Sequence, residues 1–246
     1  MSLRDSRLND ADLVAREYAS EERFLARRAA LVDYVEGPSA EDLALAAIAE
    51  AAPQRVLEVG AGTGAFAERL RRELGADVTA VDLSPRMVEL ARARGVPASE
   101  ADVQRLPFGD AAFDCVAALW VLHHVPDLDR GLGELARVLG PDGRLVAVAF
   151  GRENLAELYE LLEQPSLGDG GFSRESGEAA LAPHFTRVER RDVDGTVVFP
   201  DRAAVERYLR SLVLIRGTEP LERLPEFDGP FRSRSHHDLF VAEKPR

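Results

Sequence analysis

The chain is poor in residues that staple, anchor or span. Among 246 residues there is one cysteine, Cys115, one tryptophan, Trp120, and one lysine, Lys244. A lone cysteine makes no internal disulfide, which excludes the small stapled scaffolds of oxidising compartments. No apolar run approaches the ~20 residues that cross a bilayer. The opening stretch "MSLRDSRLNDADLVAREY" is charged and has no apolar core, so no signal peptide is predicted and a cytoplasmic location is expected. A surplus of positive charge is also missing. The 31 basic residues against 43 acidic ones leave a net charge of −12. That balance opposes binding to a phosphate backbone and disfavours nucleic acid as a partner. The five histidines have neither cysteine company nor helical spacing, so no metal site is predicted, and His236 and His237 read as structural or surface residues.

What the chain does have is enough apolar content, 46%, for one sizeable core. From about Ala11 to Val35 the pattern is helical. "SAEDLALAAIAEAA" is a second helix with Ser39 as cap. Short apolar runs then alternate with amphipathic segments: "VLEV" as strand, Ala65–Leu74 as helix, "DVTAVD" as strand, and "SPRMVELARARG" as helix with Ser84 as cap and Pro85 in its first turn. "FDCVAALWVL" continues into a helix ending at Gly140, and "GRLVAVAF" follows a Pro-Asp-Gly turn. Strands without polar alternation, separated by helices, predict a parallel sheet covered on both faces and hence a doubly wound α/β fold. Beyond Phe150 the reading is helical at 153–164, a short helix at 173–183, extended at 186–199, and helical again after the cap Asp201. A Pro/Gly-rich stretch, 217–235, then leads to a last strand, "DLFVAEK". The whole is read as one domain: a helical segment (1–53), a ligand-binding core (54–150), and completion of the sheet with insertions (151–246).

The segment "RVLEVGAGTGAFAERL" holds three glycines in five positions between a strand and a helix. Gly60-x-Gly62-x-x-Ala65 satisfies a dinucleotide fingerprint, and Gly60-x-Gly62-x-Gly64 satisfies that of an S-adenosylmethionine (SAM) loop. Three neighbouring carboxylates bear on the choice, of which Asp82 supports an adenosine in either case. Glu58 lies inside the strand before the loop, where a pyrophosphate would repel it and a sulfonium or ammonium would attract it. Asp82 ends the second strand, where a carboxylate accepts bonds from ribose hydroxyls. Asp102 follows a short third strand with apolar Val103 beside it, a pairing suited to an adenine amino group and its ring.

The segments "VLEVGAGTG", "VTAVDLSPRMVELAR", "ADVQRLPF", "FDCVAALWVLHHVPD" and "ELARVLGPDGRLVAVAF" occur in this order. Together they resemble the class I SAM-dependent methyltransferases, especially the branch of ubiquinone/menaquinone biosynthesis methyltransferases. Where that family usually has Pro-Gly-Gly, this chain has Pro141-Asp142-Gly143. The resemblance implies a Rossmann-like, seven-stranded sheet with its last strand antiparallel, under an N-terminal helical lid. It also implies SAM as cofactor, with S-adenosylhomocysteine as product. On that resemblance Gly60, Ala61, Gly62 and Gly64 approach the methionine moiety, supported by Glu58. Asp82 holds the ribose, Leu83 and Met87 pack around the adenosine, Asp102 and Val103 read adenine, and Leu119 offers backbone to the amino group.

SAM carries its own electrophile, so alignment can supply most of the catalysis and a base is needed only if the acceptor must lose a proton. His123 and His124, after the fourth strand, are the candidate bases; as a pair they equally suit the strand–helix junction. Trp120 reads either as a wall of the cofactor or acceptor site or as core. Tyr18, Phe24, Tyr159, Phe172, Phe199, Tyr208 and Phe231 are candidates for a pocket roof or for core. The function expected is methyl transfer to a small molecule. The alternatives are an RNA or protein methyltransferase, a SAM-binding protein without transferase activity, and an NAD oxidoreductase.

Overall fold

The structure, a computed structural model, describes residues 21–163, 171–212, 221 and 224–244. Its elements in chain order are α1 (Glu21–Arg28), a wide π-type turn (Ala29–Asp33), β1 (Val35–Glu36), α2 (Ala40–Ala49), β2 (Arg55–Val59), α3 (Ala65–Leu74), β3 (Asp77–Asp82), α4 (Pro85–Ala93), β4 (Ala98–Glu100) and β5 (Phe113–Leu119). A 3₁₀ turn (Leu122–His124) precedes α5 (Leu128–Val138), β6 (Leu139–Phe150), α6 (Ala156–Leu161), α7 (Gly177–Leu181), β7 (Arg187–Phe199), α8 (Arg202–Ser211) and β8 (Phe231–Glu243).

All eight strands form one sheet in the order β1-β7-β8-β6-β5-β2-β3-β4. β4, β3, β2, β5 and β6 run parallel, and β8 lies antiparallel to both β6 and β7. The seven expected strands are present with the last one antiparallel. The eighth is the two-residue β1, which pairs Val35 with Val197 at the edge of β7.

Local chemistry sets the element boundaries. Ser39 Oγ accepts from Asp42 N at 3.1 Å, Ser84 Oγ from Met87 N at 3.5 Å, and Asp201 Oδ1 from Ala204 N at 2.7 Å, so all three expected caps act as caps. Asp142 takes φ +58, the left-handed conformation that the family's usual glycine adopts freely and that aspartate tolerates better than most residues. The turn that it makes is absorbed within β6. That strand starts at Leu139 rather than after Gly143, because Leu139 pairs with Phe113 across a register shift.

One face of the sheet packs Val56, Val78, Cys115, Val146 and Leu239 against Ala44, Ile48, Phe66 and Leu70 of α2 and α3. The other packs Leu57, Val116, Leu145 and Phe240 against Leu132 and Leu135 of α5 and Leu181 of α7. A third cluster lies at the far end of the β7–β8 ribbon. β6 pairs only with 237–243 of β8, whereas β7 pairs with 231–243, so the ribbon projects past the tip of β6. There Val197 and Phe199 collect Leu158 and Tyr159 of α6 and Val205, Tyr208 and Leu209 of α8. β8 therefore starts at Phe231, inside the stretch read from sequence as a linker. Its inward residues are Ser233, Ser235 and His237, all buried, so apolar alternation does not announce it. The projecting ribbon sets α6 and α8 over the carboxyl ends of the parallel strands, where an open α/β sheet places its ligand.

Candidate active site

A cavity of about 300 Å³ opens at those strand ends. Its floor is the turn between β2 and α3. Gly60 and Gly62 take φ +66 and +53, which only glycine adopts without strain. What comes close to each is a protein group. A Cβ on Gly60 would lie 2.4 Å from Val121 Cγ2, and one on Gly62 would lie 2.6 Å from Phe24 Cζ. The turn is thus clamped between the β5 exit and α1, with its backbone facing the cavity.

Nine of the eleven residues expected to hold the cofactor line this cavity: Glu58, Gly60, Ala61, Gly62, Asp82, Leu83, Asp102, Val103 and Leu119. The other two do not. Gly64 ends the turn at φ +75 and accommodates Ala91, whose Cβ would lie 2.7 Å from an added one, so its smallness serves the packing of α3 on α4. Met87 is fully buried within the protein on the inner side of α4. Local sequence does not distinguish the inner from the outer face of so short a helix.

The three carboxylates differ in environment. Glu58 is 4% exposed, and its Oε2 has no hydrogen-bond partner among the described residues. Burial, reinforced by the nearby charges of Glu41 and Asp82, pushes its carboxyl well above the usual range, and only the backbone N–H of Ala67 opposes this. Asp82 accepts from Gly62 N and from Ser84 N, each at 2.8 Å, so it braces the glycine turn against the start of α4. Burial raises its pKa, and these backbone bonds hold the rise in check. Asp102 is exposed and accepts from Gln104 N at 2.9 Å and from the Gln104 side-chain amide. Asp82 and Asp102 thus have structural duties, yet each carboxylate oxygen keeps lone-pair capacity for a ligand donor.

Past β5, His123 and His124 both line the cavity, their ring centroids 3.9 Å apart, with Phe150 4.6 Å from His123. Burial, helped by the neighbouring His124 and Arg27, holds His123 well below its usual pKa, so its imidazole is neutral. Of the roof candidates, Phe24, Tyr159 and Tyr208 line the cavity. Phe172 and Phe199 are core, and Phe231 packs against Phe199 and Phe227. Tyr18 lies outside the described residues.

Several lining residues carry no sequence signal. Arg27 and Arg28 arrive from α1 and Glu41 from α2, with Arg28 bonded to Glu41 at 3.1 Å. Gln104, beside Asp102, also ties the cavity wall to α5 by accepting from Asp127 N at 3.0 Å. Only its adjacency to Asp102 could have flagged it.

Residues 57–147 match the family described as Methyltransferase domain. Among curated relatives, the demethylmenaquinone methyltransferase of Thermus thermophilus is 44% identical over 118 residues, covering 45% of this chain and 52% of that protein. The malonyl-[acyl-carrier protein] O-methyltransferase of Geobacter sulfurreducens is 36% identical over 176 residues, 65% of each chain. Over these residues the chain is similar to class I SAM-dependent methyltransferases of the ubiquinone/menaquinone type. The cofactor of that family is SAM. The chain spans about half to two thirds of the length of these relatives. Among solved structures, a Haemonchus contortus phosphoethanolamine N-methyltransferase, in complex with phosphomonomethylethanolamine and S-adenosylhomocysteine, superposes with a TM-score of 0.62 at 19% identity, covering 100% of this chain and 61% of that one. The Bacillus subtilis YcgJ protein superposes with a TM-score of 0.58 at 20% identity, covering 83% of this chain and 99% of that one. At such identities the likeness is one of fold. No described helix is long and apolar enough to cross a membrane.

The residues present fit such a cofactor. A buried carboxyl oxygen without a partner, at the wall of a cavity floored by a glycine turn, suits a ligand that brings a cation to that place. A pyrophosphate there would oppose ionisation of Glu58 still further and would leave the charged form of that carboxyl without a partner.

Proposed function

We propose that this chain binds SAM in the cavity and catalyses transfer of its methyl group to a small-molecule acceptor. The unpartnered Oε2 of Glu58 carries this reading, because it is the one buried group in the glycine-turn wall that asks for a positively charged ligand. Glu58 would face the amino-acid end of the cofactor, Gly60, Ala61 and Gly62 would give it backbone contact, and Leu119 would offer its backbone to the amino group. Asp82 would accept from the ribose hydroxyls beside Leu83, and Asp102 with Val103 would hold the adenine edge and face. Phe24, seated on Gly62, makes α1 the cover of this half of the site.

When bound, the cofactor would supply a sulfonium-attached methyl for in-line attack by the acceptor's nucleophile, the new bond to carbon forming as the carbon–sulfur bond breaks and S-adenosylhomocysteine leaves. The chain's own contribution is alignment and exclusion of water, worth several kcal/mol in comparable systems. His123 enters neutral, the state a base needs, but the burial that keeps it neutral also disfavours the imidazolium that proton uptake would form. Its role would then be to wall and hydrogen-bond the acceptor. The base role survives only if His123→Gln or His124→Gln lowers kcat by roughly a hundredfold or more.

The test is calorimetric binding of SAM and S-adenosylhomocysteine, followed by turnover across a broad acceptor panel. Binding of both with transfer to a small molecule supports the proposal. Binding without transfer to any acceptor would make the chain a SAM-binding protein of another purpose, and transfer confined to RNA or protein would overturn the small-molecule reading.

A further inference from the structure

The carboxylates proposed to hold the cofactor, Glu58, Asp82 and Asp102, belong to β2, β3 and the turn just past β4. The strand order β6-β5-β2-β3-β4 leaves the other end of the cavity for the acceptor. There His123, Phe150 and Gly151 form part of the wall. What fixes that wall lies behind it, outside the cavity.

Asp238 is 0% exposed, in β8 between Ala149 of β6 and Asp192 of β7. Its carboxylate lies 3.2 Å from Arg174 Nη1 and also contacts Arg190 Nε. The next two residues of β8, Leu239 and Phe240, are buried and apolar. Apolar packing often stabilises a site as well as a buried ion pair does, so stability alone does not call for a carboxylate here. Arg174, in the segment before α7, sets its guanidinium against four groups. These are Asp238, Asp192 at 2.9 Å, Asp194, and the His237 carbonyl at 3.2 Å. Its backbone N–H donates to Phe150 O at 3.2 Å. A Cβ on the next wall residue, Gly151, would lie 3.0 Å from Arg174 Cδ and 2.6 Å from His236 Nδ1, so the chain is bare where the arginine passes. The Phe150 ring in turn stands 4.6 Å from that of His123. Contacts therefore run unbroken from buried Asp238 through Arg174 to Phe150 and His123.

We propose that Arg174, clamped by Asp238, is a positioning residue of the acceptor wall: it fixes the exit of β6 and so sets Phe150 against His123. The inference rests on the methyltransferase reading in assigning this wall to the acceptor. A planar guanidinium with several fixed partners holds orientation as well as place. A wall supported in this way keeps the alignment on which in-line transfer depends. Neither Arg174 nor Asp238 lines the cavity, so both act through Phe150.

The five histidines give five imidazole Cε1–H signals in a proton–carbon correlation spectrum. Spectra of His123→Gln and His184→Gln assign the two that matter. The ring current of Phe150 makes the His123 signal a gauge of how the two rings sit. His184, bonded to Asp129 at 2.8 Å, is the control. Burial pushes Asp238 up to about 7 against the pull of Arg174 and Arg190, so the spectra are taken at about pH 8, where the carboxylate predominates. Arg174→Gln and Asp238→Asn should displace the His123 signal while leaving the His184 signal and the affinity for S-adenosylhomocysteine unchanged. Arg190→Gln removes the other guanidinium at Asp238 from a position opposite Phe240, and should leave His123 in place. Arg174→Lys keeps the charge without the planar fork. It should displace His123 in the same direction by less, and it stands in should Arg174→Gln fail to fold. A His123 signal unmoved by both Arg174→Gln and Asp238→Asn overturns the proposal. So does an equal displacement in Arg190→Gln, which makes the effect one of charge, or a His184 signal that moves with His123, which makes it a general loosening. If S-adenosylhomocysteine gives no binding heat with the parent, the methyltransferase reading fails, a result independent of whether Arg174 sets the place of His123.

Discussion

Glu58→Gln keeps the size of the side chain and removes its charge. In the ligand-free protein, burial and the neighbouring carboxylates hold the Glu58 carboxyl well above its ordinary pKa. The unfolded chain releases that proton near pH ~4.3 while the folded chain retains it, so the folded state binds more protons. Stability from this group is therefore complete below pH ~4.3 and is lost as pH rises, by about 1.4 kcal/mol per unit, until the folded carboxyl itself titrates. Glutamine removes this slope, so the free variant should be the more stable protein above about pH 5, with a gap that widens until the folded carboxyl of the parent titrates. Its ligand affinity should move the other way. A hydrogen bond to a charged partner contributes about 1.5–3 kcal/mol, so SAM should bind roughly tenfold to more than a hundredfold more weakly. Urea denaturation across the pH series gives the first quantity and titration calorimetry the second. In the parent, SAM binding should also release a proton from Glu58, visible as a dependence of the heat on buffer ionisation enthalpy. Unchanged affinity in the variant, or lower stability across the whole range, refutes this account of Glu58.

Other residues give shorter tests. Gly62→Ala combines a left-handed backbone with a contact 2.6 Å from Phe24 Cζ; it should cost about 1–2 kcal/mol in strain alone and lower the melting temperature. Phe24→Ala removes the residue seated on that turn and should speed dissociation of S-adenosylhomocysteine in stopped flow while leaving the far-ultraviolet spectrum unchanged. His237, held down at about 3 in the folded chain, titrates near ~6.5 when unfolded. Its contribution is thus full above that pH and lost as pH falls. Between about pH 7.5 and 5 the parent should lose about 2 kcal/mol more than His237→Gln, read by urea midpoints.

The core was legible where local chemistry and tertiary role coincide. Ser84-Pro85 starts α4 as the residues demand, Glu58 and Asp82 stand at strand tips because apolar strands deliver them there, and Gly60 and Gly62 need the backbone that they have. Legibility failed where a residue's role comes from what lies across from it. The start of β8 hides behind Ser233 and Ser235, polar residues buried only because the β7–β8 ribbon folds under α6. β1 is two residues long and exists by pairing with Val197 and Thr196. Arg28 and Glu41 reach the cavity from separate helices, and no spacing in the chain couples them. Tyr159 and Tyr208 sit on apolar helix faces, and only the placement of those helices by the ribbon decides that the rings end in the cavity.

The most direct measurement is titration calorimetry of the ligand-free protein with SAM, S-adenosylhomocysteine and NADH, one at a time under the same conditions. Saturable heat from the first two and none from NADH is the outcome that a buried carboxyl awaiting a cation predicts. A flat titration with both adenosyl ligands, with saturable binding of NADH, would contradict it.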